Sequence, residues 1–237
     1  MKFITAQWKN LIMANYVINP EYLKKYIPAG TELDLWNGNC YISLVGFLFK
    51  NTKVLGLSIP NYTDFEEVNL RFYVKRFEKG QWKRGVVFIQ EIVPKNIIAF
   101  VANTVYKENY KTLVMQHEHQ LKAEIRKVGY QWKNQNKKNH ITVNAYDFAT
   151  TIEDGTEAAF ITEHYFGYTR CNENTSYEYE VKHPKWEQYL IKNFDIKIDF
   201  KNVYGTDFEF MNNMNPSSII LAKGSKISVG NKRKIKL

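Results

Sequence analysis

One stretch near residue 70 constrains the fold strongly, because its apolar and polar residues alternate without interruption. One set is Val68, Leu70, Phe72 and Val74, and the other is Glu67, Asn69, Arg71, Tyr73 and Lys75. A period of two places these sets on opposite faces of a β-strand. In an open sheet the polar set faces solvent. In a closed sheet it lines an interior, where Glu67, Arg71 and Tyr73 can bind and orient a small polar ligand.

Similar patterns predict mostly strands in the rest of the chain. A nearly continuous apolar run at residues 41–49 predicts a strand buried on both faces, and further strands are predicted at 86–93, 141–146 and 177–181, with an extended segment at 159–170. Short helices are expected after Asn19-Pro20, after Pro94 and from His183 through Leu190. Many strands and few helices predict a β-rich α+β domain with an antiparallel sheet that is curled or closed.

Charge and cysteine usage limit the class of protein. Lys and Arg number 33 against 24 Asp and Glu, a formal charge of +9. The basic residues are scattered apart from two clusters without interleaved aromatic residues, so a solvated basic surface is favoured over a nucleic-acid site. One cluster, around Lys137, predicts a hairpin tip, and the other, at residues 232–236, predicts a frayed tail. Two distant cysteines, no signal peptide and no apolar membrane span predict a cytoplasmic protein with reduced thiols and no membrane partner.

Three further groups of residues are candidates for chemistry. His164, Tyr168 and Arg170 share one face if their segment is a strand, and form either a structural polar network or part of a ligand site. The pair His117 and His119 lacks an evident third ligand, so no metal is predicted. Lys111 follows the helix after Pro94. It is either a surface lysine or, if buried beside a cation, a nucleophile that forms a Schiff base with a carbonyl substrate.

Several ordered motifs resemble one bacterial family. They are WKNL at residues 8–11, YIPAGTELD at 26–34, SLVGF at 43–47, DFEEVNLRFYV at 64–74 and FITEHYFGYTR at 160–170. The chain to about Val229 is identified by them as a member of the family called domain of unknown function 2071, which has no established activity. The family is similar in fold to acetoacetate decarboxylase, which implies a cone-like, partly closed β-barrel with flanking helices and a central cavity. The resemblance implies a single domain at residues 1–229 followed by a basic tail at 230–237.

The decarboxylase uses a lysine that forms a Schiff base, a second lysine that lowers the pKa of the first, an arginine and a glutamate. At the matching positions this sequence has Tyr110 for the reacting lysine, Lys111 for its helper and Lys9 for the arginine. The glutamate corresponds to Glu67, or to Glu66 if the register slips. A phenol cannot form an imine, so the decarboxylase mechanism requires that Lys111 take over the reacting role.

These considerations predict a cavity that binds a small anionic or carbonyl-bearing metabolite, without a cofactor. Lys9, Arg71 and Lys111 are expected to meet negative charge, and Glu67 and Tyr110 to orient the ligand or transfer protons in lyase-like or hydrolase-like chemistry. The alternatives are a non-catalytic binding or sensing protein and nucleic-acid binding through the basic surface. Exposed strand edges offer a route to a homo-oligomer.

Overall fold

A computed structural model describes residues 2–237, which form one 15-stranded sheet with a few short helices. The strands are β1 (Lys2–Ile18), β2 (Glu32–Leu33), β3 (Cys40–Val54), β4 (Phe65–Glu78), β5 (Gln81–Val93), β6 (Tyr110–Thr112), β7 (Val114–Lys122), β8 (Ile125–Asn134), β9 (Lys137–Thr151), β10 (Phe166–Asn172), β11 (Thr175–Lys182), β12 (Glu187–Lys197), β13 (Ser218–Ala222), β14 (Lys226–Gly230) and β15 (Arg233–Lys236). The α-helices are α1 (Asn96–Val105), α2 (Glu157–Thr162) and α3 (Phe200–Tyr204), and 3-10 helices span Pro20–Tyr26 and Thr206–Asn213. The prediction of a β-rich α+β fold with few helices is confirmed.

The order of the strands brings the two ends of the chain together. Strands β14, β11, β10, β5, β4, β3 and β1 are paired in that order, and β14 pairs with β1 as well as with β11. The path of pairings through these seven strands therefore returns to its starting point. Most pairs are antiparallel, whereas β5 pairs in parallel with β10 and with β6.

Alternation along β3 and β4 divides the interior into two apolar clusters. Leu70 and Phe72 belong to one cluster, and Tyr73 belongs to the other. The polar row of β4 from Glu67 to Tyr73 is buried. It therefore lies inside the molecule and is not the solvent-facing side that an open sheet would give it. The predicted strand at 41–49 is confirmed, and all nine residues are buried.

Two of the three predicted helices are present. The Asn19 side chain accepts a hydrogen bond from the backbone N–H of Glu21 at 3.0 Å and caps the 3-10 helix that starts at Pro20. Helix α1 begins two residues after Pro94, as its apolar spacing predicts. The hairpin predicted around Lys137 is the turn between β8 and β9.

Three segments differ from the predictions. The first part of the segment predicted to be extended at 159–170 is helix α2, because the Thr156 hydroxyl accepts a hydrogen bond from the Ala159 N–H and caps it. The structure has no helix from His183 through Leu190; residues Glu187–Lys197 form β12, which pairs with β9 and β13. The predicted frayed tail is ordered as β15 on β11, where Ile235 is buried.

Two smaller findings concern the environment of the chain. Cys40 is buried and Cys171 is exposed, and both are free thiols. Within residues 2–237 every helix is too short or too polar to cross a membrane.

Candidate functional site

A cavity of about 150 Å³ lies between the polar row of β4, helix α1 and strands β1, β3, β5 and β11. Its polar wall includes Glu67, Asn69, Arg71, Glu91, Glu108 and Tyr110, and most of the other side chains are aromatic or aliphatic. A cavity of this size holds a molecule such as benzene. The polar row of β4 therefore lines an interior cavity.

Glu67 lies at the centre of the polar wall. Its carboxyl group accepts hydrogen bonds from Asn69 Nδ2 at 2.9 Å and from the Tyr110 hydroxyl at 3.0 Å. Burial raises the pKa of Glu67 to about 7, although these two donors and the positive charge of Arg71 act in the opposite direction. A carboxyl group with this pKa can both donate and accept a proton near neutrality.

The connection from α1 to β6 aims Tyr110 into the cavity. The Asn103 side chain donates to the Tyr110 carbonyl at 2.9 Å and accepts from the Tyr110 N–H at 2.7 Å. Lys107 adopts a left-handed conformation, with φ of 62°, and turns the chain back after the helix. Parallel pairing of β6 with β5 then sets Tyr110 beside Glu91.

Two further buried acids face Glu67. Glu108 accepts hydrogen bonds from the hydroxyl groups of Thr169 at 2.6 Å and Tyr179 at 2.9 Å. Burial, reinforced by the negative charges of neighbouring glutamates, raises the pKa of Glu108 to about 7 and that of Glu91 well above its ordinary value. The three carboxyl groups therefore disfavour one another's ionisation.

Arg71 is the only positively charged side chain in the cavity wall that residues 2–237 form. It is buried, and within these residues it makes no ion pair with a carboxylate. Its Nη2 lies 4.0 Å from the Met13 sulfur, its guanidinium carbon lies 5.8 Å from the centre of the Tyr73 ring, and its Nε has no hydrogen-bond partner in the protein. A buried guanidinium of this kind retains its full capacity for an anion.

A β-bulge positions Arg71. The pairing of β4 with β5 shifts between Leu70 and Arg71, so that Arg71 is opposite Phe88 while Leu70 is opposite Gln90. Ile89 is the extra residue on β5. Bulges of this kind redirect side chains and are frequent next to functional sites.

Two predicted cations lie outside the cavity. Lys111 follows Tyr110 in a strand and therefore points to the other side, where its Nζ donates to the Asn134 Oδ1 at 3.3 Å. Lys9 is likewise not part of the cavity wall, whereas its neighbour Trp8 is part of it. The structure thus does not place Lys9 or Lys111 with Glu67 and Tyr110, contrary to the prediction.

The remaining predicted residues lie in three different places. Tyr73 is next to Arg71 and shares a hydrogen bond of 2.7 Å with Ser43. The ring of the buried His164 packs at a tilt against Tyr73, and its Nε2 contacts Asp34. Tyr168 faces the other apolar cluster. Arg170 is exposed near the 3-10 helix at Pro20–Tyr26. His164 precedes β10 and is not on its face, whereas Tyr168 and Arg170 are two residues apart on β10 and share a face, with Tyr168 buried and Arg170 exposed.

Three functional candidates were not predicted from the sequence. Glu91 is the one acid within the predicted strand at 86–93, and an ionisable residue in such an apolar run is an available signal. Glu108 lies in the irregular segment before Tyr110. Tyr179 lies in the predicted strand at 177–181, and no local pattern relates either residue to Glu67.

The His117 and His119 rings lie 5.1 Å apart on β7. His117 contacts Glu66 at 2.6 Å, and His119 contacts Asn10 and Tyr130. Within residues 2–237 no group of three or more His, Cys, Asp or Glu side chains has the arrangement of a metal site. The two imidazoles therefore act as hydrogen-bonding groups between strands.

Comparison with known proteins assigns the chain to a family. Residues 5–226 match the sequence profile of domain of unknown function 2071, described as an uncharacterised conserved protein. The chain belongs to this family. The uncharacterised protein YqjF of Bacillus subtilis (strain 168) is 27% identical over 200 residues, which cover 83% of this chain and 78% of that protein.

Solved structures with similar folds are acetoacetate-decarboxylase-like. The enduracididine biosynthesis enzyme MppR complexed with pyruvate has a TM-score of 0.67 at 12% identity, covering 99% of this chain and 90% of that one. An acetoacetate decarboxylase-like enzyme from Sphingomonas wittichii RW1 has a TM-score of 0.67 at 9% identity, covering 100% and 94%. Acetoacetate decarboxylase from Legionella pneumophila has a TM-score of 0.63 at 9% identity, covering 100% and 86%. At these identities the likeness establishes the fold.

Proposed function

We propose that this protein binds a small carboxylate or oxo acid in the cavity, with the ligand carboxylate on Arg71. The observation that supports this most directly is a buried guanidinium without an ion-pair partner in the described chain. Burying a charge is costly unless an opposite charge compensates it, so such a group favours an anionic ligand. Pyruvate bound to MppR, a protein of similar fold, agrees with this ligand class. We further propose that the seven-strand path is a cone-shaped β-barrel that encloses the site.

The chemistry we propose is proton transfer by the pair Glu67 and Tyr110. With its raised pKa, Glu67 holds a proton at slightly acidic pH and can give it to a carbonyl oxygen or carbanion of the ligand. Burial also raises the pKa of Tyr110, so its hydroxyl remains a hydrogen-bond donor. Lyase-like or hydrolase-like reactions of an oxo or carboxylate group are compatible with such donors.

A Schiff base is not part of this proposal. No lysine belongs to the cavity wall formed by residues 2–237, and Lys111 faces Asn134. An imine needs an amine beside the carbonyl carbon of the ligand. The same observation favours the second candidate, a protein that binds or senses the acid without converting it.

Calorimetric titration with a panel of short oxo acids at about pH 6 tests the proposal. Wild type is expected to bind, Arg71→Gln to lose at least tenfold in affinity, and Arg170→Gln, which removes an exposed guanidinium outside the cavity wall, to bind as wild type. Melting temperatures of the three proteins verify that they are folded. Equal affinities of wild type and Arg71→Gln would refute the role of Arg71.

Borohydride reduction with the same acids, followed by peptide mass spectrometry, tests the absence of imine chemistry. We expect no ligand-dependent adduct on any lysine. An adduct on Lys111 that disappears in Lys111→Ala would show that this side chain reaches the cavity, and would overturn the proposed chemistry. Consumption of a bound acid by wild type but not by Glu67→Gln would distinguish an enzyme from a binding protein.

A further inference from the structure

The two ends of the cavity have different chemistry. Arg71, Glu67 and Asn69 line its buried part. Farther along the same face of β4, Phe65 stacks on Phe49 with ring centroids 4.6 Å apart. The cavity wall therefore changes from polar to aromatic along a single strand.

The spacing of residues along that strand gives the length of the cavity wall that it forms. Phe65 and Arg71 are six residues apart on one face of β4. At roughly 3.3 Å per residue their Cα atoms are about 20 Å apart. A two- or three-carbon acid held by Arg71 does not reach Phe65.

The mouth of the cavity is also apolar. Leu57 and Ile59, in the connection between β3 and β4, are 72% and 45% exposed, and Ile97 at the start of α1 is 50% exposed. All three belong to the cavity wall. A bound apolar group would remove their surface from water, which is favourable.

The charges of the cavity restrict the polar part of the ligand. One guanidinium faces three acidic side chains, Glu67, Glu91 and Glu108. A second carboxylate on the ligand would be buried among these acids without a cation, which is strongly unfavourable. The cavity therefore suits a single carboxylate.

From this geometry we infer that the ligand is an amphipathic monocarboxylic acid, with its carboxylate or oxo-carboxylate head at Arg71 and an aliphatic or aromatic body extending past Phe65 to the mouth. This inference rests on the proposed function and specifies its substrate class. It predicts that short polar oxo acids bind more weakly than longer acids, and that dicarboxylic acids are disfavoured.

A homologous series tests this inference. Dissociation constants of wild type are measured by calorimetry at about pH 6 for straight-chain monocarboxylates of four, six and eight carbons, and for primary alcohols of the same lengths. Each methylene buried in the cavity is expected to tighten binding about fourfold, hence about fifteenfold for each step of two carbons. The alcohols are expected to bind at least tenfold more weakly than the acids.

Matched variants at two exposed leucines test whether the dependence of affinity on chain length arises at the mouth of the cavity. Leu57→Ser is expected to weaken binding of the eight-carbon acid severalfold and to leave the four-carbon acid unchanged. Leu190→Ser, at a leucine that is 56% exposed and outside the cavity wall, is expected to change neither. Because both positions are on the surface, neither variant should impair folding.

The possible failures are distinguishable. Affinities that do not depend on chain length, with binding of the four-carbon acid still lost in Arg71→Gln, would overturn the amphipathic ligand and leave the proposed function standing. If no acid of any length or oxo substitution binds, both fail. Alcohols that bind as tightly as the acids would overturn the assignment of the head group to Arg71.

Discussion

Replacement of Glu67 by glutamine should remove a large part of the pH dependence of stability. Burial raises the pKa of Glu67 from 4.5 to about 7. Between these values the folded chain holds a proton that the unfolded chain releases, so the free energy of unfolding falls as pH rises through this window. At about 1.4 kcal/mol for each tenfold change in proton affinity, Glu67 accounts for about 3 kcal/mol of that fall.

Glu67→Gln keeps the shape and an amide oxygen that can accept from Asn69, while the titrating group is lost. The negative charge of Glu67 also raises the pKa of Glu91 and of Glu108, so removing it lowers both pKa values. Between pH 5 and pH 8 the free energy of unfolding of the variant should therefore fall by about 3 kcal/mol less than that of wild type. The difference should be larger if the pKa values of Glu91 and Glu108 also fall. At pH 8 it should be more stable than wild type.

Urea unfolding followed by tryptophan fluorescence at several pH values measures these free energies. Glu180→Gln is the matched control, because its carboxylate is at the surface in an ion pair with Lys182 at 3.3 Å. An exposed pair of this kind contributes about 0–1 kcal/mol, so the control should retain the wild-type decline. Parallel pH curves for wild type and Glu67→Gln would refute the reasoning, since they would show that Glu67 ionises equally easily in both states.

Other predictions concern different parts of the molecule. Arg71→Met should raise the free energy of unfolding by about 1–2 kcal/mol near pH 6 in urea titrations, since it removes a buried charge without an ion-pair partner. Gly167→Ala should lower it by about 1–3 kcal/mol, because a Cβ there would lie 2.1 Å from Cζ of Tyr179. Deletion of residues 231–237 should cost about 2 kcal/mol or more by calorimetric melting, as it removes the buried side chain of Ile235 and the arginine that pairs with Glu178. Filter binding to DNA and RNA at decreasing salt should show no tight complex, because members of both basic clusters are already paired with acids of the chain.

Local periodicity predicted the strands around the cavity. It did not predict whether their polar face lies in solvent or in the interior. The alternation at residues 67–75 specifies two faces. Whether the polar face is exposed to solvent depends on the pairing of β1 with β14, in which Ile4 is opposite Val229. That contact joins the two ends of the sequence, so no local pattern contains it.

The assignments of residues 110 and 111 show a second limit. Adjacent residues of a strand face opposite sides, so only one of Tyr110 and Lys111 can line the cavity. The two hydrogen bonds of the Asn103 side chain to the backbone of Tyr110 fix which one does. Position 103 is in helix α1, seven residues earlier, and its role depends on how that helix packs.

A capping residue explains one error in secondary structure, and tertiary strand pairing explains another. Aromatic and β-branched residues at 160–168 favour a strand. The hydroxyl of Thr156, which caps the helix, lies before the segment 159–170 that was predicted to be extended. At 183–190 the sequence His183-Pro184 resembles a helix start. The segment that follows forms β12, because tertiary pairing with β9 and β13 outweighs the weak local signal.

The charges of the cavity connect ligand binding with protonation. With all three glutamates ionised, the site would carry three negative charges and one positive charge, and it would repel an anion. With the three protonated, Arg71 is the only charge, and the hydroxyl groups of the acids add hydrogen-bond donors. A ligand carboxylate at Arg71 also weakens the guanidinium's stabilisation of ionised Glu67, so the bound ligand holds the proton on Glu67 more firmly. On the proposed function, the acid should bind best in the protonation state in which Glu67 has a proton to transfer, because the burial that makes the fold sensitive to pH also keeps that proton on Glu67.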